Sequence, residues 1–119
     1  MKKTLVIGAS ENPARVSNTA ICKLRAANHE VEAIGLRVGN VNGVSFHLGL
    51  PELKNIDTVT LYVGSKNQSN YYDYVLSLNP NRVIFNPGTE NDEFLKLLRA
   101  QDINAFEACT LVMLATGSY

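Results

Sequence analysis

The residues best placed to do chemistry lie near the N-terminus. Gly8, Ala9, Ser10, Asn12, Arg15 and Ser17 follow the apolar run Leu5-Val6-Ile7 and lead into a helical pattern. A strand, a glycine turn and a helix N-terminus in that order leave backbone N–H groups free, with the positive end of the helix dipole behind them. Arg15 adds a cation able to grip a phosphate with two hydrogen bonds, and Ser10 and Ser17 add hydroxyl donors. The chemistry implied is anion binding. A later helical segment opens with Glu90, Asp92 and Glu93, which suit the dipole but repel a phosphate. The first helix is therefore the expected anion terminus.

The turn keeps only the first glycine of a GxGxxG fingerprint. Ser10 stands where a second glycine would let a pyrophosphate touch the backbone. About 20 residues further on, where an acid would hold an NAD ribose, the chain has Leu36 and Arg37. An arginine there disfavours a 2′-hydroxyl acceptor and favours an additional phosphate.

Other reactive groups are fewer. Cys109 follows a predicted strand end and is the candidate thiol, either reactive or simply packed; Cys22 lies in the first helix and reads as packing. No CxxC occurs, and both thiols are expected free in a reducing, cytoplasmic setting. His29 is expected exposed after a helix end, and His47 falls in an irregular loop. Neither has metal-ligand spacing. Asp57 is expected to turn the chain into a strand. Tyr71, Tyr72 and Tyr74 read as helix packing, without the basic interleaving that nucleic acid asks for.

The elements that must position these groups alternate between two periods. Thr4–Ile7 reads as a buried strand. Val16, Ala20, Leu24 and Ala27 give a helical stripe, with Ser17 as a candidate cap and Asn28 as the stop. Strands are predicted at 31–36, 57–63, 82–85 and 104–108, and helices around Tyr71–Leu78 and Phe94–Leu98. Thr89 and Asp92 suggest a capping box. Residues 37–56 are irregular, with a brief extended piece at Val44–Phe46 and a helical turn at 51–54. The tail 110–114 fits a final core strand first, and otherwise a helix or a partner contact. The expectation is an α/β domain over residues 1–119, with a five-stranded, mostly parallel sheet and helices on both faces.

Bulk composition narrows the classes. The chain has 119 residues, a formal net charge of zero and 45% hydrophobic residues. That is enough chain for one core without metals or disulfides. The neutral balance suggests neither nucleic-acid nor membrane-surface binding. The apolar run before Gly8 is too short for a signal peptide, and no segment approaches a membrane span.

Gly8-Ala9-Ser10, Asn12-Pro13, Arg15 and Ser17 together resemble the GAS-x-NP-x-R-x-S opening of small, free-standing CoA-binding domain proteins. These are Rossmann-like and related to the CoA-binding domain of succinyl-CoA synthetase α chains. The similarity spans nearly the whole chain. Asn86-Pro87-Gly88 stands where the family has a Gln-x-Gly turn, and Cys109 where members carry a cysteine. The chain departs from the family at Leu36-Arg37-Val38, usually Asn-Pro and a Lys or Gly, and at Val63-Gly64-Ser65, where an arginine is frequent.

The resemblance implies CoA or an acyl-CoA as ligand. The turn Gly8–Ser10 would take the pyrophosphate, Arg15 and Arg37 phosphate groups, and Val63-Gly64 the passing adenosine or pantetheine arm. Asn86 and Gly88 complete the expected site. No catalytic set is implied. Two other classes stand beside this one: an NADP-type oxidoreductase, and a subunit or homodimer module whose nucleotide site is vestigial.

Overall fold

The computed structural model describes residues 1–119. Seven strands form one sheet: β1 (Thr4–Ala9), β2 (Val31–Gly35), β3 (Asn40–Val41), β4 (Val44–His47), β5 (Thr58–Leu61), β6 (Arg82–Phe85) and β7 (Asn104–Glu107). The sheet order is β3-β4-β2-β1-β5-β6-β7. Five strands were expected. The two additional ones come from the irregular segment, where Asn42 and Gly43, both with positive φ, fold β3 back antiparallel on β4. All other pairings are parallel. Without β3, the parallel strands taken in chain order run 3-2-1-4-5-6, the doubly wound arrangement. Its switch point lies between β1 and β5.

Side chains alternate across this sheet. Leu5 and Ile7 join one buried cluster with Val75, Phe94 and Leu98, from α2 (Tyr72–Leu78) and α3 (Asp92–Ala100). Val6 points the other way, to Ile21 and Leu24 of α1 (Val16–Ala26). Helices therefore cover both faces, as the apolar strand runs require. No helix is long and apolar enough to cross a membrane.

Several local expectations are corrected. Residues 51–54 form no helical turn. The tail is not a strand but a helix, α4 (Thr110–Ala115), which packs beside α1. Thr110 N–H and hydroxyl are instead bound from below by Asn86 and Thr60. Asn91, not Thr89, caps α3, its side chain accepting from Phe94 N–H at 3.1 Å. Thr89 donates to Asn86 O instead. Helices α1 and α3 end alike, on the left-handed residues Asn28 and Asp102. There His29 N–H bonds Leu24 O at 3.0 Å and Ile103 N–H bonds Leu98 O at 3.1 Å.

At the opposite edge from the strand C-termini, Tyr119 closes the core. Its ring lies 4.2 Å from the Arg82 guanidinium and 4.9 Å from the His29 ring. His29 is thus half-buried rather than exposed, and its Nδ1 accepts from Lys2 N–H at 2.9 Å. His47 lies in β4, with Nε2 2.9 Å from Glu32. Burial holds the His29 pKa below the ordinary 6.5, helped by the positive N-terminus, Lys2 and Arg82 and opposed by Asp57. A base with a lowered folded pKa binds its proton more readily when unfolded. Stability is therefore expected to be flat above about pH 6.5 and to fall as pH drops below it. Urea midpoints at pH 7.5 and 5.5 should show that loss, and His29→Asn should reduce it. Equal losses in both proteins would refute the assignment.

Candidate functional site

The strand C-termini open into a cleft of about 1400 Å³. Gly8, Ala9, Ser10, Asn12, Arg15 and Ser17 line it from the β1–α1 turn, and Arg37 from the end of β2. Val63 and Gly64 follow β5, Asn86 and Gly88 follow β6, and Cys109 precedes α4. All twelve candidate residues meet at one place, because parallel strands deliver all their C-termini to the same edge.

Gly8 makes the turn possible. Its φ is +100°, and an added Cβ would lie 2.8 Å from the Tyr62 carbonyl oxygen. Beyond it, Ser10 and Asn12 shape the loop. Asn12 N–H donates to Ser10 Oγ at 3.1 Å, and Ala14 N–H to Asn12 Oδ1 at 3.0 Å. Asn18 reaches back from α1 to hold Ser10 O at 3.0 Å. These bonds bring the chain to Arg15, the N-cap residue, whose side chain makes no capping bond.

Ser17, the expected cap, sits inside the helix and is buried. No carboxylate stands in the first turn of α1. The backbone N–H groups of Val16 and Ser17 have neither a backbone nor a side-chain acceptor. Uncapped donors at an α-helix start ask for an acceptor from outside.

The start of α3 is already served. Glu90 accepts from Gly88 N–H at 2.9 and 3.2 Å, and Asn91 caps α3. Gly88 therefore lines the cleft with its N–H engaged. Asn86 also lines it, but its side chain belongs to the frame. Nδ2 donates to Thr60 Oγ at 2.7 Å and Leu61 O at 2.8 Å, and Oδ1 accepts from Thr110 N–H at 2.9 Å. That amide joins β6 to β5 and α4.

Three charged residues line the cleft: Glu11, Arg15 and Arg37. The Glu11 carboxylate accepts from Asn40 N–H at 2.8 Å and packs where any side chain at Gly39 would stand. Arg15 and Arg37 are exposed and form no ion pair. The cleft's free charge is thus positive. Cys109 is free and half-buried on the wall. Tyr62 lies beneath, its hydroxyl buried without a partner beside Thr60 and Thr110, which bond each other at 2.8 Å. Burial pushes its pKa up to about 12, so it stays a neutral phenol.

The frame rests on a residue that carries no sequence signal. Gln68 is fully buried, and its Nε2 donates to Val63 O at 2.8 Å and Thr89 O at 2.7 Å. Its Oε1 accepts from Asn91 Nδ2 at 3.0 Å. It ties the wall after β5 to the wall after β6. Flanked by Ser65, Lys66, Asn67, Ser69 and Asn70, it reads in sequence as one more polar loop residue. Only the separation of the two loops it joins reveals its task.

Fold and cleft together define a doubly wound α/β domain with an uncapped helix start at its switch point. The family model described as a CoA binding domain matches residues 2–115, and the chain belongs to that family. A solved structure described as an uncharacterized protein is 43% identical, with a TM-score of 0.97 over 100% of this chain and 98% of that one. A Thermus thermophilus structure is 21% identical, with a TM-score of 0.87 over 99% and 90% of the two chains. A dinucleotide-forming acetyl-coenzyme A synthetase of Ca. Korarchaeum cryptofilum, solved with phosphate and ADP, is 12% identical. Its TM-score is 0.73 over 92% of this chain and 26% of its own. The last two similarities concern the fold. Among curated proteins no match is found.

Proposed function

We propose that the protein binds coenzyme A, free or acylated, in the cleft and performs no catalysis of its own. The observation that carries this reading is the uncapped start of α1, with two unpaired N–H groups at the switch point. The pyrophosphate is placed there. Arg15 and Arg37 answer phosphate charge, and the extra 3′-phosphate of CoA is what separates it from NAD. Val63 and Gly64 flank the adenosine or pantetheine arm. Family membership supports the choice of ligand. The cleft's one carboxylate is already committed to a backbone N–H, which supports a binding rather than an acid–base role.

Titration calorimetry tests it. CoA is expected to bind more tightly than dephospho-CoA or NAD. Arg15→Ala and Arg37→Ala should each weaken CoA by about tenfold or more, the worth of one charge-assisted hydrogen bond. Equal affinity for the three nucleotides, or none, would sink the reading.

Cys109 belongs to the same proposal as the thiol that meets the CoA sulfur. With CoA disulfide as oxidant, the Cys109 thiolate attacks one sulfur, forms a mixed disulfide and releases one CoA thiolate. A CoA adduct is expected by mass spectrometry in the wild type and not in Cys109→Ser. An adduct on Cys22 alone would overturn this assignment.

A further inference from the structure

A second cavity of about 400 Å³ runs between α1 and α4. Lys23, Ala26 and Ala27 line one side, and Leu111, Leu114 and Ala115 the other. Lys23 is its one charged residue. Leu111 lines both this groove and the cleft, so one side chain stands between the two.

The cleft's charges orient a ligand in it. Glu11, Arg15 and Arg37 all belong to the β1–α1 turn and the end of β2. The lining from residues 86–89, 109 and 111 carries no charge. A molecule with phosphates at one end and an uncharged arm at the other puts its phosphates by the arginines and its arm along the uncharged lining, which runs from Val63 and Gly64 to Cys109 and Leu111. The apolar groove starts there.

We infer that the groove between α1 and α4 holds the hydrocarbon chain of an acyl-CoA whose nucleotide lies in the cleft. This rests on the CoA reading and narrows it to acylated CoA with a medium-length chain. Size decides the occupant. From Thr19 to Ala27 the groove is about 12 Å long, at the helical rise of about 1.5 Å per residue. That length suits an extended hydrocarbon chain of about eight to ten carbons. The groove is open along one side and its volume has room for one such chain. The three alanines leave it open, and the Lys23 stem adds apolar wall while its ammonium stays in water.

Calorimetry with CoA, acetyl-, hexanoyl- and decanoyl-CoA tests it, on the wild type and on Ala26→Trp and Ala115→Trp. Both alanines are exposed and outside the cleft, so either substitution spares the core. Affinity should rise about twofold per methylene, below the roughly fourfold of full burial because the groove is open. The rise should level near ten carbons. Either tryptophan should flatten the series and leave CoA affinity as it was. A flat series in the wild type overturns the proposal, as does a slope that survives both variants. So does a dimer in solution that Ala26→Trp disperses, which would give the groove to a second copy. Free CoA affinity reads the cleft and the slope reads the groove. Absent CoA binding therefore refutes the parent reading, whereas CoA binding without a slope refutes this one alone.

Discussion

Gly8→Ala is expected to destabilise the protein by about 3–5 kcal/mol and to abolish measurable CoA binding. Two costs combine. The residue sits at φ +100°, where an L side chain is strained by about 1–3 kcal/mol. Its new methyl would also stand 2.8 Å from the Tyr62 carbonyl oxygen and 2.9 Å from that carbonyl carbon. Neither backbone can retreat cheaply. Tyr62 N–H bonds Ile7 O at 2.8 Å, and β1 lies between β2 and β5 in the middle of the sheet. Typical domain stabilities are about 5–15 kcal/mol, so the loss is a large share of the whole. Denaturant unfolding gives the stability, and titration of the surviving folded protein gives the affinity. A loss under about 1 kcal/mol with CoA binding intact would show that the turn adapts.

Gln68→Leu is the second large effect, and it separates shape from hydrogen bonding. Leucine fills similar space, but the buried Thr89 O and the half-buried Val63 O lose the donor they share. Asn91 keeps Tyr72 as a partner, at 2.8 Å, so its loss is smaller. At about 1–3 kcal/mol for each orphaned acceptor, the total is about 2–6 kcal/mol. For a chain of this size that lowers Tm by about 10 °C or more. CoA affinity should fall as well, since Gln68 touches no ligand but holds both walls of the cleft. Calorimetric melting and CoA titration of the same sample check both. A Tm within about 2 °C of wild type would mean that water replaces the amide.

The β1–α1 turn was legible because its parts are local. Leu5–Ile7, Gly8 and the stripe from Val16 to Leu24 lie within one strand–turn–helix unit, and each residue's neighbours in sequence are its neighbours in space. Arg37 was found by a spacing rule that reflects one βαβ crossover. The second cluster of site residues was legible by element ends alone. Asn86 lines the cleft as its position implies, but its side chain serves β5 and α4, which are remote in sequence. Ser17 looked like a cap because its type is right, yet the helix starts one residue earlier, at Val16 with Arg15 as the cap. The strand count failed where two residues suffice for β3: a period of two cannot be seen in so short a piece.

By itself the sequence determined the alternation of strands and helices, the glycine turn, the basic first helix start and the family opening motif. All of these depend on residues a few positions apart. Tertiary structure alone decided the order of the strands and the conversion of the tail into α4. It also decided the burial of Gln68 between two walls and the groove between α1 and α4. Periodicity reports which face of an element is buried. It does not report what buries it, and each of these features is set by segments that meet only after the sheet has formed.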